Sequence, residues 1–485
     1  MLLQPRTFSL YLLAVLSGLG RSRADATANS TCEAIAKAVS LQSDVYYPGT
    51  SQYTADIKHW VESSTQEAAC SVEPGSVQDV STILEILGDT RTPFAVKGGG
   101  HAFNLGFSST TGVQIAMTRF SNLTYDEDKQ TAEIGPGLIW QEVYERLAPF
   151  NVTVVGGRVP TVGVAGFTLG GGLSFKSSQY GLAIDTVQAF ELVLPNGTVT
   201  TVTADNEDLF FGLKGGFNNF GIVTKFTFRT FPQGKIWVGS VVVPEQGLDA
   251  LNTAVAELAA DCTDPKVALN VQYTYAAGVL SATATIFYDA PTQPAGIFDE
   301  LLSVPGSFVN VSTTDFLSFI SGVVPSFGGS RIDFGDAPVE AYSPTLLSAI
   351  VNETSFWGQA LTPHSGSLIM HIVEVFLPSY FSHGAASAYP PNRSAFSEPI
   401  NLYFAWNDPQ ADNIMHDAVG QSTNELKAAA IADGQNIVDT PLYPNYAPHD
   451  TPLKLLYGSN VDRLQGIKRA IDPDNVMGLA GGFKF

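Results

Sequence analysis

The spacing of apolar residues changes several times along the chain, and each change predicts an element. Residues 32–70 open with Cys32-Glu33-Ala34-Ile35-Ala36-Lys37-Ala38-Val39 and read as helical. Val77, Val80, Ile83 and Leu84 then recur at helical spacing behind a cap position at Ser76. Phe94-Ala95-Val96-Lys97 is a short strand running into glycines, Gly112 to Ala116 and Thr131 to Gly135 are two more, and a helix follows from Ile139 to Leu147. Val187 to Leu194 alternates as a strand, Pro195-Asn196-Gly197-Thr198 turns the chain, and Val199 to Val202 returns. A short helix at Leu209 to Leu213 and a strand at Gly221 to Phe228 complete this region. Strands and helices intermingle without a regular βαβ rhythm, which predicts an α+β fold. Near Pro232 the pattern changes. Strands at Trp237 to Val243, Ala268 to Tyr275 and Ala282 to Tyr288, with helices at Gly247 to Ala260 and Asn413 to Ala432, suggest a second unit. The last stretch, 440–485, carries turn residues, a helix near Val461 to Ala470 and a glycine-rich end.

The first residues have a different character. Arg6 precedes an apolar run from Phe8 to Leu19, with small residues at Ala24 and Ala26. The run is too short to span a bilayer and has the layout of a signal peptide over 1–24, so secretion is expected. Cysteine usage agrees. Cys32 and Cys70 flank one N-terminal segment and are expected to pair, three free thiols being the alternative, while Cys262 is left over. No CxxC or zinc spacing occurs, so no metal ligand is assigned. Sequons at Asn29, Asn122, Asn151, Asn196, Asn310, Asn352 and Asn392 suit a glycoprotein of the secretory pathway. A net charge of −21 argues against nucleic acid or an anionic membrane surface as a partner.

Two glycine-dense stretches carry the candidate chemistry. In the first, Lys97, Gly98, Gly99 and Gly100 lead into His101, with Asn104 and Gly106 just beyond. Glycines after a strand let backbone N–H groups curl around an anion such as a pyrophosphate, and a histidine there can be fixed beside the ligand. A glycine turn with an ordinary histidine is the plainer alternative. The pattern is not a GxGxxG opening a helix, so a Rossmann site is not supported. The second stretch runs from Gly156 to Gly172 and includes Arg158, Val159, Val162, Gly163, Gly166, Gly170 and Gly171. Val, Phe and Leu interleave its glycines where a linker would carry Ser and other polar residues, which suits backbone wrapped against a flat ligand.

Together these stretches resemble the FAD-binding domain of the vanillyl-alcohol-oxidase superfamily, and more narrowly the berberine-bridge-enzyme-like oxidases of fungi. Gly181-Leu182-Ala183-Ile184-Asp185, Asp208 to Gly216, Gly221-Ile222-Val223-Thr224, Asp472-Pro473-Asp474-Asn475-Val476-Met477 and the closing Gly481-Gly482-Phe483-Lys484-Phe485 add to the likeness. The resemblance implies a two-part, PCMH-type FAD-binding domain over 25–235 (core about 70–235), a substrate domain over 236–439 built on an antiparallel sheet with helices, and a C-terminal segment over 440–485 that returns to the FAD domain. It implies FAD as cofactor, held by residues Lys97 to Gly100, His101, Asn104, Gly106, Val162, Gly163, Gly166, Gly170 to Gly172, Gly221, Ile222, Val223 and Asn445. His101 matches the histidine that bonds the flavin 8α carbon. Many relatives have a second link from a cysteine where this chain has Val159, so one link is expected. Val162 stands where the family places a residue that gates oxygen, and valine there favours an oxidase.

Tyr443-Pro444-Asn445-Tyr446 resembles the family's Tyr-x-Asn-Tyr stretch, whose first tyrosine can act as catalytic acid or base. Tyr443 and Tyr446 are therefore the catalytic candidates. His371 and Glu374 are rival bases read as structural, and so is Arg393 in Ser387 to Arg393. Tyr273, Tyr275, Phe327, Tyr403 and Trp406 are candidates to stack on a sugar or a phenol, with core packing as the alternative. The expected partners are a small organic substrate and dioxygen, acting on a monomer. The leading expectation is a secreted oxidase releasing hydrogen peroxide, as in fungal secondary metabolism. An oxidative or redox-neutral cyclase, a carbohydrate oxidase, and a binding protein without flavin are the alternatives.

Overall fold

The computed structural model describes residues 27–323 and 330–485. The expected signal peptide over 1–24 and Phe327 lie outside the described residues. Residues 27–38 are helical, but the expected helix over 32–70 stops there. A strand (Asp44–Tyr46), a helix (Ser51–Ile57) and extended chain occupy the rest. The cause is local. Ser40, Ser43 and Ser76 all hydrogen-bond to the Asp79 carboxylate, and this network folds the chain back after the first helix. Cys32 and Cys70 are bonded across this segment, and Cys262 is free.

Three sheets organise the molecule, and mixed helices with largely antiparallel strands give the expected α+β class. A four-stranded sheet has the order Asp44–Tyr46, Cys70–Glu73, Val113–Ala116, Phe94–Lys97, with its last three strands parallel. A five-stranded antiparallel sheet follows the order Leu123–Asp126, Thr131–Ile134, Ile222–Arg229, Val187–Val193, Val199–Val202. The largest sheet is antiparallel, in the order Phe308–Thr314, Ile236–Pro244, Val279–Tyr288, Val267–Ala276, Gly366–Val375, Glu398–Trp406, Arg331–Val339.

Alternation along this large sheet decides what reaches the site. In Gly366–Val375, Ile369, Val373 and Val375 pack into the core under the long helices, as alternate residues on one face must. Met370, Ile372 and Glu374 point the other way, into a cavity. The same parity sends Asn270 and Gln272 to the cavity, and Tyr273 into the core, where its hydroxyl donates to Asn252 (2.7 Å). Trp406 is also core, and its indole N–H donates to Asp412 (2.8 Å). The large sheet is not a separate body. Ile236, Val238, Ala268 and Phe287 share one apolar core with Phe190, Phe226 and Phe228 of the five-stranded sheet. Phe175 stacks on Phe287 across this joint, with ring centroids 5.0 Å apart.

Candidate active site

The strand Phe94–Lys97 delivers the glycine loop to the junction of the three sheets. A Cβ on Gly99 would lie 2.5 Å from Gly163 Cα, and one on Gly163 would lie 2.4 Å from Gly99 N. The two glycine stretches therefore meet backbone against backbone, which any side chain would prevent. Gly166 has open space where a Cβ would stand and faces the cavity. The Gly156 to Gly172 stretch is less uniform than a wrapped loop. It contains a short helix, Val164–Leu169, whose Val164 and Leu169 are buried.

The cavity measures about 420 Å³. Its walls come from all three sheets: the loop after Lys97, Pro136 beyond the second sheet, and Met370, Ile372 and Tyr403 of the large sheet. His101 lines it and stacks on Trp60, with ring centroids 4.1 Å apart and planes 14° from parallel. His101 Nε2 lies 3.4 Å from the Thr161 hydroxyl. Burial pushes the imidazole pKa down to about 4, so the ring is neutral at physiological pH and keeps a nitrogen lone pair. These features fit an FAD: a glycine-edged cleft for the pyrophosphate, open space at Gly166, apolar walls for a flat ring, and a neutral histidine beside it.

At the other wall the loop Leu442 to Ala447 brings in two tyrosines with different partners. The Tyr443 oxygen accepts N–H donors from Gly172 (3.0 Å), Leu173 (3.2 Å) and Asn445 Nδ2 (2.9 Å). Burial still outweighs these bonds, and its phenol is pushed up to about 12. The Tyr446 hydroxyl donates to Glu374 Oε1 (2.9 Å) and accepts from Arg158 Nη2 (3.0 Å). Arg158 also pairs with Glu374 at 2.7 Å. Burial, then the Glu374 charge, hold the Tyr446 phenol well above its ordinary value. Glu374 Oε2 is buried at the cavity wall with no hydrogen-bond partner among the described residues. The backbone N–H of Tyr443 donates to Asp336, which fixes the loop to the edge strand of the large sheet.

The residues named from the sequence divide into two groups. Gly98, Gly99, Gly100, His101, Asn104, Val162, Gly163, Gly166, Gly221, Ile222, Val223, Tyr443, Asn445 and Tyr446 all line the cavity. Lys97, Gly106, Gly170, Gly171 and Gly172 do not. Lys97 is buried and donates to the Ala55 (2.9 Å) and Lys58 (3.0 Å) carbonyls, so it braces the loop from behind. Gly170 leaves room for Asn445, whose Oδ1 would lie 2.2 Å from a Cβ there. His371 faces away from the cavity, between Thr354 (2.9 Å) and Ser422 (3.1 Å), as its odd position on the strand requires. Arg393 braces Asp185 (2.6 Å) outside the cavity, a structural pairing of two of the sequence motifs. Glu374, read from the sequence as structural, lies at the centre of the polar cluster. Trp60 and Arg158 were not singled out. Arg158 was legible as the one charged residue in the 156–172 stretch.

Comparison with known proteins agrees with this geometry. The family description "FAD binding domain" matches residues 68–203, and "Berberine and berberine like" matches residues 442–480. The FAD-dependent monooxygenase yanF of Aspergillus niger is 39% identical over 443 residues, covering 86% of this chain and 73% of that protein. The FAD-dependent monooxygenase drtC of Aspergillus calidoustus is 30% identical over 460 residues, covering 90% and 87%. The chain belongs to the berberine-bridge-like family of FAD-dependent oxidoreductases. Among solved structures, BBE-like 1 of Physcomitrella patens superposes with a TM-score of 0.75 at 22% identity, over 92% of this chain and 97% of that one. That similarity shows the PCMH-type fold. The two matched stretches of this berberine-bridge-like protein both line the cavity, one around His101 and one around Tyr446.

Proposed function

We propose that this is a secreted oxidase that removes two electrons from a small organic alcohol or phenol, using FAD bonded through His101. One observation carries the reading: a single cavity is lined both by the neutral His101 and by the Tyr446–Glu374 pair. FAD held along the Gly98–His101 loop would supply a hydride acceptor that dioxygen can reoxidise, with hydrogen peroxide as the co-product. His101, neutral through burial, offers the nitrogen for a covalent bond, and Val159 offers no sulfur for a second one. The paired Cys32–Cys70 is consistent with an oxidising compartment.

The chain's own residues handle the proton. A phenol held above its ordinary pKa is a poor base near neutrality, which argues against Tyr443 or Tyr446 acting alone. A carboxylate hydrogen-bonded behind a tyrosine avoids that difficulty. As the substrate hydroxyl gives its proton to the Tyr446 oxygen, the Tyr446 proton moves to Glu374. Arg158 touches both and orients them. Tyr443 acts as a positioning residue, clamping Gly172 and Leu173 against Asn445. The names of the two fungal relatives favour a second reading, a monooxygenase that places one oxygen atom in the product. Oxygen accounting separates the two. One peroxide per product, with no label from ¹⁸O₂ in the product, supports the oxidase. Label in the product supports the monooxygenase. A panel of alcohols, phenols and sugars supplies the substrate.

A further inference from the structure

A second cluster of chemistry-bearing side chains lies on the other side of the edge strand Arg331–Val339. Phe334 of that strand faces the cavity, and its neighbour Asp333 faces the helix Asp412–Ala432. There His416 meets His449 and Asp450, and one ligand atom from each lies within 4.8 Å of the other two. His416 Nε2 is 3.4 Å from Asp450 Oδ2. Two tetrahedral ligands at zinc bond lengths of about 2.0–2.2 Å stand roughly 3.3–3.5 Å apart, so this pair already spans one tetrahedral edge. The His449 ring centroid is 5.3 Å from that of His416, and its side chain is exposed. Asp333 Oδ2 lies 2.7 Å from His416 Nδ1. It accepts the hydrogen of Nδ1 and fixes the ring with Nε2 turned to Asp450, so Nε2 is the nitrogen that an ion would take in exchange for its proton, as where an outer carboxylate orients a metal-binding histidine.

We infer that His416, His449 and Asp450 form a site for a divalent transition-metal ion of the zinc class, with solvent completing the coordination. Two imidazoles and one carboxylate suit zinc better than calcium or magnesium, which take oxygen ligands. The site is separate from the FAD cavity but joined to it through the chain. His449 and Asp450 end the loop that carries Tyr443 and Tyr446, while His416 sits on the long helix behind the large sheet. A bound ion therefore fastens the outer end of the tyrosine loop to that helix. Asp336 fastens its inner end, through the Tyr443 N–H, and Asn104 its middle, through the Ala447 carbonyl (2.9 Å).

The test uses the flavin-loaded full chain without a polyhistidine tag, stripped with chelator and titrated with zinc chloride in a calorimeter near pH 7.5. One saturable equivalent is expected, with a rise in thermal midpoint on zinc addition. His449→Ala and Asp450→Asn, both at exposed positions, should each weaken binding at least about tenfold and abolish the rise, while the flavin spectrum and the zinc-free midpoint stay as in the parent. No saturable equivalent in the parent, or unchanged affinity in both variants, would overturn the assignment.

Discussion

Glu374 and His371 lie three residues apart on one strand and have opposite fates. In the sequence both read as structural. Their burial is similar, so composition gave no reason to separate them. What separates them is parity: Glu374 shares a face with Met370 and Ile372 at the cavity, and His371 shares the other with core residues. Glu374→Gln and Tyr446→Phe should each lower kcat by roughly 10²–10⁴-fold with flavin retained, the range of a lost acid–base group. His371→Ala should instead lower stability and leave the pH profile of kcat in place. Steady-state kinetics over pH reads both. Asp336 makes a separate prediction. Burial pushes its carboxyl up to about 8, and one of its oxygens has no partner among the described residues. Its folded-state pKa lies above its unfolded value, so its stabilising contribution is complete below the unfolded pKa. That contribution is lost as pH rises toward 8. Asp336→Asn keeps an acceptor for the Tyr443 N–H without the charge, so thermal midpoints of the variant should fall less than the parent's between pH 4 and 8. Equal falls would remove Asp336 as the titrating group.

At the level of elements, regular periodicity was a good guide where one face was buried. The helix Val77–Thr90, the hairpin through Asn196 and Gly197, and the strands Val267–Ala276 and Val279–Tyr288 all follow from spacing and turn chemistry. The segment from 39 to 70 is not one helix for two reasons: the turn at Pro48-Gly49 and the cap at Thr50 break it locally, and the Asp79 carboxylate and Cys70 hold it from a distance. The parallel pairing of Cys70–Glu73, Val113–Ala116 and Phe94–Lys97 is likewise a long-range choice that no local pattern encodes. The glycines of 156–172 were legible as close-approach positions, but not what they approach: Gly163 meets the other glycine loop, Gly156 and Gly157 meet Trp140, and Gly170 and Gly171 meet Asn445 and Tyr443. The Cys32–Cys70 bond spans 38 residues. Replacing both cysteines by serine should cost about 3–4 kcal/mol in the chain-entropy model, measured by denaturant unfolding. A cost near zero would mean that the Asp79 network alone holds the segment.

For the whole molecule, the cavity lies where the sheets meet around a shared apolar core. The joint combines an apolar core, through Phe175 and Phe287, with charged ties that cross it. Lys176 is fully buried against Asp289, and Arg158 reaches Glu374. Buried pairs of this kind are weak sources of net stability but strong constraints on relative placement. Here they set the glycine-loop wall against the large-sheet wall. Among the described residues no helix is long and apolar enough to cross a membrane. The same junction places His101 inside, stacked on Trp60 and neutral, at the cavity wall. The central claim is tested by denaturing gel electrophoresis of acid-precipitated protein under ultraviolet light. Flavin fluorescence should migrate with the parent polypeptide and be absent from the His101→Ala polypeptide. Fluorescence that stays with the His101→Ala chain, or a parent chain that releases all its flavin, would contradict the account.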